Sequence, residues 1–258
     1  MAQSSSPSPA YQVPALDKGL DILEHLAAEG IPLTQTQLAR ALGRGPNELF
    51  RMLVCLERRG YIGRDPASGA YSLTLRLFTL AHAHSPFQGL LRAAERPMRE
   101  LTEEVRESCH LSVRHRSELL VLGQEESPRK LRLSVEVGAV FPLLHTVSGR
   151  LLLAYLEPGA RNEALQANPE YGTLTSTEQG ALRKQLDTIQ ARGYEEAYGE
   201  TMEGVLDLAV LVGTPDIGVQ AALTIASLGR RHGPRTDELL PVLQRCAHQI
   251  GRSAGLIA

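Results

Sequence analysis

The chain has 258 residues, a formal charge of −2, 43% hydrophobic residues and 22% charged ones. This length holds one large domain or two smaller ones, and the charge excludes a protein that coats nucleic acid by bulk positive charge, though not a local basic patch. The three cysteines, Cys55, Cys109 and Cys246, are far apart and form no C-x-x-C pair, which argues against a disulfide framework or a zinc site and fits a reducing cytoplasm.

The opening MAQSSSPSPAYQVPA has neither a basic start nor an apolar core, so residues 1–14 read as a disordered Ser/Pro/Ala tail and not as a secretory signal. No run approaches the length of a membrane span. ALDKGLDILEHLAAEG repeats Leu16, Leu20, Leu23, Leu26 and Ala27 at helical spacing and stops at Gly30. Thr34 and Gln37 form a capping pattern for a second helix through Leu42. A third helix opens at Gly45-Pro46 and closes at Gly60, burying Leu49, Met52, Leu53 and Leu56, with Cys55 expected on the same apolar side. Two short strands, Tyr61–Arg64 and Ala70–Leu73, flank the breaker-rich turn Asp65-Pro66-Ala67-Ser68-Gly69. Helix, helix, turn, helix and hairpin make the layout of a winged helix-turn-helix over residues 15–74.

In that motif the helix after the turn enters the major groove. Its polar side here carries Arg44, Asn47, Glu48 and Arg51, with Phe50 beside them. Asn can pair with adenine, Glu can accept from cytosine, and Arg can bind guanine N7 and O6. Residues 44–59 hold four arginines against two glutamates. So modest an excess requires help from the wing and a second subunit to hold a DNA backbone.

From Thr74 the helical pattern resumes, with breaks expected at Ser85-Pro86 and near Pro97; residues 75–97 read as a helical linker. Beyond it CHLSV, ELLVLGQ and LRLSVEV read as strands, followed by helices near Ser148–Leu156, Gly159–Gln166 and Thr177–Arg192. VLDLAVLVG and GVQAALTIAS read as strands around a Thr214-Pro215-Asp216 turn, and an amphipathic helix spans Thr236–Gly251. Residues 98–258 thus form an α+β domain around an antiparallel sheet.

ALDKGLDILEHLA, QLARALGRGPNELFRMLVCLERRGYIGRD and YSL resemble the N-terminal module of the isocitrate-lyase-regulator (IclR) family of bacterial transcription factors. HTVSGRLLLAYL, RGYEEAYGETMEGVLDLAVLV and GVQAALTIASL resemble successive segments of its second half, so the likeness runs over roughly residues 15–255. It implies a GAF-like effector domain holding a small metabolite, often an organic or aromatic acid. Val147 and Ser148 fall where backbone N–H groups meet the ligand, at the start of a helix opened by Gly149-Arg150, with Gly149 and Asp207 also expected at the ligand, and Thr224 falls where the family often has a serine. Ala226 occupies a second such position and cannot donate. Ala197 replaces an acidic residue of some members, and Asp207 replaces a common cysteine. An ionised Asp207 would repel a carboxylate unless the ligand is neutral or cationic, Asp207 is neutralised, or it points away.

Other candidates lack companions. His82, His84, His110 and His115 form no metal set, His145 stands alone before the pocket helix, and Ser148-Gly149 lacks a G-x-S-x-G elbow or a base. No catalytic residue, metal or cofactor is expected. The expected protein is a cytoplasmic homodimer or homotetramer that binds double-stranded operator DNA under control of a small effector. The alternatives are an enzyme acting on a small acid or ester in the same cavity, and a ligand sensor without DNA binding.

Overall fold

The computed structural model describes residues 13–83, 87–214, 220–228 and 235–257. It divides into two compact units, Met1–Ser85 and Pro86–Ala258. The Ser85-Pro86 break and the Thr214-Pro215-Asp216 turn fall wholly or partly outside the described residues.

The first unit begins with α1 (Pro14–Glu29), which ends where Gly30 takes φ 64° and caps Leu26. Thr34 and Gln37 form the expected reciprocal cap on α2 (Gln35–Ala41), with Thr34 N donating to Gln37 Oε1 at 2.8 Å. Gly43, at φ 61°, turns the corner in a conformation that side chains disfavour, and Arg44 N donates back to Ala39 O. Pro46 opens α3 (Pro46–Arg58), and Gln35 Nε2 donates to Pro46 O at 2.9 Å, fixing the two helices to each other. Strands β1 (Ile62–Arg64) and β2 (Tyr71–Leu73) form the hairpin, and Leu33 bridges to Tyr71 as a third edge. Asp65 organises the hairpin turn by accepting from Ala67 N and Ser68 Oγ. Helix α4 (Arg76–Ala83) follows.

Ile22, Leu26, Leu38, Leu49, Leu53, Ile62 and Tyr71 make this unit's core. Three expectations about burial change. Leu16 and Leu20 are 57% and 45% exposed, so the apolar stripe of α1 is wider than the core it covers. Cys55 is exposed, because two residues past Leu53 lies on nearly the opposite side of an α-helical turn. Met52 and Leu56 are only half-buried.

The second unit opens with α5 (Phe87–Val105), which runs unbroken through Pro97. Proline costs a helix one hydrogen bond and a ring clash. Here Leu90, Ala94, Met98 and Leu101 bury one face against the sheet, and that burial outweighs the loss. The sheet is antiparallel throughout, in the order β5 (Val140–Pro142), β4 (Glu118–Glu125), β3 (Ser108–His115), β8 (Ala221–Leu228), β7 (Val205–Val212), β6 (Tyr194–Tyr198). Helix α10 (Thr236–Ser253) joins α5 on one face. The other face carries α6 (Val147–Ala154), α7 (Pro158–Gln166), α8 (Pro169–Thr173) and α9 (Ser176–Arg192).

LRLSVEV is not a strand, although its alternation imitates one. Leu133 and Val135 turn inward to a cavity, while Leu131 and Val137 are exposed. Side chains hold this segment in place of a partner strand: Ser108 Oγ donates to Leu133 O at 2.6 Å, and Gln124 Oε1 accepts from Val135 N. β5, β6 and α8 are elements that the sequence reading did not identify.

Helix α6 approaches its preceding loop so closely that a Cβ on Gly149 would lie 2.0 Å from Leu143 O. That contact is with backbone, which cannot swing aside. Gly149→Ala is therefore expected to lower stability by about 3 kcal/mol, read as a drop in melting temperature; a variant melting with the wild type would show that the loop yields freely.

Candidate functional site

Two regions collect the residues singled out in the sequence. The first is the outer side of α3. Leu49 and Leu53 are fully buried, so helical spacing turns Asn47, Arg51 and Arg58 to solvent on the opposite side. Phe50 (51% exposed) and Val54 (44%) border them. Glu48 is separated from this set. Its carboxylate lies 2.5 Å from Lys18 Nζ on α1 and 4.0 Å from Arg44, which also reaches Asp21 at 3.9 Å. The Lys18 hydrogen bond holds the Glu48 carboxyl below its usual range. Glu48 and Arg44 are thus tied to α1, whereas Asn47 and Arg51 are not.

The second region is a cavity of about 370 Å³ in the second unit, on the sheet face that carries α6. Parity along the strands decides what enters it. On β7, Leu208, Val210 and Val212 pack toward α5 and α10, so Asp207 points the other way, into the cavity. On β8 the same alternation turns Thr224 and Ala226 inward. Val147 and Ser148 line the cavity at the start of α6. Thr146 caps that helix by accepting from Gly149 N, which leaves the Val147 and Ser148 N–H groups as the first two donors without an intrahelical acceptor. Ser148 Oγ and Thr224 Oγ1 share a buried 2.7 Å hydrogen bond. Only one of the two hydroxyl protons serves that bond, so the other is free for a ligand.

Gly149 does not line the cavity; it permits the close seat of α6 described above. Ala197 packs in the core and pairs with Asp207 across the β6–β7 ladder. His145 is exposed and meets Glu170 at 3.4 Å, outside this cavity. Behind the site Arg150 is buried and fully engaged. It donates to Glu195 at 3.0 Å, to Glu200 at 2.7 Å and to Leu144 O at 3.3 Å. No metal-binding cluster occurs among the described residues.

The sequence reading weighed His110 only as a metal ligand and missed Thr146 and Thr201. His110 faces Thr224 across the β3–β8 ladder and lines the cavity. Its signal was present in CHLSV, where it alternates with the core residues Cys109 and Leu111. Thr201 donates to Asp207 Oδ2 at 2.6 Å from the β6–β7 connection. Burial pushes the Asp207 carboxyl above its usual range, with the Thr201 bond opposing.

Burial pushes the His110 imidazole down to about 4 from 6.5. As the pH falls below that ordinary value, the unfolded chain takes up a proton that the folded chain refuses until about 4. Folded stability is therefore lost on acidification through this window, by up to about 3 kcal/mol. Denaturant unfolding against pH should show a smaller loss in His110→Gln than in the wild type; parallel curves would mean that His110 protonates freely in the fold.

Residues 85–252 match the family model described as the bacterial transcriptional regulator IclR C-terminal domain, and residues 15–66 match the IclR helix-turn-helix domain. The chain is 28% identical over 253 residues to the glycerol operon regulatory protein of Streptomyces coelicolor, spanning 95% of this chain and 98% of that protein. It is 30% identical over 226 residues to the HTH-type transcriptional regulator KdgR of Escherichia coli K12, spanning 85% of each. Its fold is similar, at TM-score 0.76 and 23% identity, to the crystal structure of an IclR homolog complexed with 4-hydroxybenzoate from Microbacterium hydrocarbonoxydans, over 93% of this chain and 99% of that one. With both units matched and relatives aligned along most of their length, the chain belongs to the IclR family of bacterial transcriptional regulators.

Proposed function

We infer that this regulator reads operator DNA with the outer side of α3 and binds a small organic effector in the cavity beneath α6. The observation that carries the DNA reading is the solvent-facing row Asn47, Arg51 and Arg58, backed by the buried pair Leu49 and Leu53 and followed directly by a hairpin. Asn47 and Arg51 supply the base contacts. Arg58 supplies charge for phosphate, and Arg44 with Glu48 sets the seat of α3 on α1.

The effector reading rests on a partly open, mostly apolar cavity with a few convergent polar groups, which is the usual character of a ligand site. Val147 and Ser148 present N–H groups at a helix N-terminus, where an anion or a carbonyl oxygen is favoured. Thr224 and Ser148 add one hydroxyl donor. The neighbour of similar fold, complexed with 4-hydroxybenzoate, supports a small aromatic acid as the type of ligand. The protein acts as a cytoplasmic homo-oligomer, since a pseudo-palindromic operator takes two modules at a fixed spacing. An apolar groove of about 500 Å³ in the first unit, bordered by Leu16, Leu20, Leu77 and Leu80, supplies the surface for a second copy.

Fluorescence anisotropy on DNA from upstream of the protein's own gene tests the first part. Arg51→Ala should weaken specific binding by about 1–3 kcal/mol and blur preference at one base pair, beyond the unit change in salt slope that one lost phosphate contact brings. An equal loss on specific and random DNA would remove Arg51 from base readout. Leu20→Glu tests the subunit contact: sedimentation should show a shift to smaller species with weaker operator binding, and an unchanged assembly would place that contact elsewhere.

A further inference from the structure

Asp207 is the buried carboxylate among the described residues that line the cavity, and the family resemblance leaves its role open. It is 6% exposed and lines the cavity. Its Oδ2 accepts from Thr201 at 2.6 Å, while its Oδ1 accepts from no described residue. Its ladder neighbours are Ala197 on β6 and Ala226 on β8, neither of which has a polar side chain. Among the described residues that line the cavity there is no lysine or arginine. Arg150, the cation behind the wall, is already held by Glu195 and Glu200. His110, the other titratable group in the inner wall, is neutral at physiological pH, and Glu136 stands exposed at the rim.

We propose that Asp207 selects the effector: the ligand presents a hydrogen-bond donor, a hydroxyl or an ammonium, to Asp207 Oδ1, while its acceptor end lies at the Val147 and Ser148 N–H groups. The inference rests on the cavity being the effector site. The two ends of the cavity have opposite electrostatic sense. The helix N-terminus favours negative charge, whereas a buried carboxylate with an open oxygen repels it and rewards an N–H or O–H. A dicarboxylate satisfies the first end and is opposed at the second. A hydroxy acid or an amino acid satisfies both, and an ammonium also neutralises a charge that the protein leaves without a cation among its lining residues.

Isothermal titration of the full-length protein tests this with two isosteric series. One comprises 4-hydroxybenzoate, 4-(aminomethyl)benzoate, benzoate and terephthalate. The other comprises 4-hydroxybutyrate, 4-aminobutyrate, butyrate and succinate. The wild type should bind the hydroxy or amino member of a series about tenfold or more tighter than its dicarboxylate member. The stronger of the two identifies the donor as hydroxyl or ammonium. Asp207→Asn keeps an acceptor for Thr201 but removes the charge, so it should close that gap by raising dicarboxylate affinity. Asp207→Ser, which shortens the side chain, should act in the same direction. Dicarboxylates that bind only the two variants would support the proposal equally. Dicarboxylates that bind the wild type as tightly as the hydroxy or amino members would overturn it, as would substitutions that weaken every member alike. Should no probe bind the wild type or either variant, the cavity itself fails as an effector site, and the selection falls with it.

Discussion

The second unit depends on one close backbone approach. Helix α6 sits against the loop before it because residue 149 has no side chain, and a methyl group there would fall inside the Leu143 carbonyl oxygen. That seat brings three further things into register. Ser148 meets Thr224 across the cavity floor. Val147 and Ser148, the first two residues of the helix, line the same cavity. Arg150, one residue further on, reaches Glu195 and Glu200. A small residue is demanded at one position so that its neighbours can do chemistry at theirs. Gly149 therefore acts on the site without lining it.

The buried charges around this helix are of two kinds, and the difference explains what each can do. Arg150 and Glu195 are almost fully buried, and each has several partners. Glu195 accepts from Arg150, Gln185 and Arg192, and Arg150 also donates to Glu200 and Leu144 O. A buried pair this fully satisfied recovers its desolvation cost, and removing one member costs about 3–5 kcal/mol. Such a network holds a shape. Asp207 is buried to a similar degree but has one hydrogen bond and one open oxygen. Its desolvation is only partly offset inside the protein, so a ligand that completes it gains what the fold leaves unmet. The contrast between a saturated and an unsaturated carboxylate, on adjacent strands of one sheet face, separates a charge that holds the fold from one left open for the proposed ligand.

Much of the first unit was legible because short-range chemistry sets it. The Thr34–Gln37 cap, Pro46 at a helix start and Gly30 at a helix end act through a few adjacent bonds. What escaped depends on partners distant in sequence. Glu48 has the right chemistry for a base contact, and only the packing of α1 shows that Lys18 holds it. LRLSVEV has a strand's alternation without a strand's neighbour, because hydropathy records which side chains turn inward and not what satisfies the backbone. Pro97 marks a helix break on local rules and is overridden by the face that α5 buries. Asp207 could be assigned to one of two faces by parity alone. Choosing between them required knowing that α5 and α10 cover the other face.

The sparse charge on α3 bears on how such a regulator can be controlled. Four arginines against two glutamates over residues 44–59 give a single module few phosphate contacts. Lys18 and Arg44 are partly spent on Glu48 and Asp21. In the proposed reading, specific affinity then comes from two modules acting together, the second adding to the first as an intramolecular event. A small ligand typically supplies about 1–3 kcal/mol of coupling between sites. That is too little to dislodge one module that binds tightly by itself. It is enough to change the occupancy of an operator held by two weak modules whose joint engagement depends on their spacing. In that reading, weak individual modules are the physical condition under which a ligand in the second unit's cavity can decide whether the operator is bound.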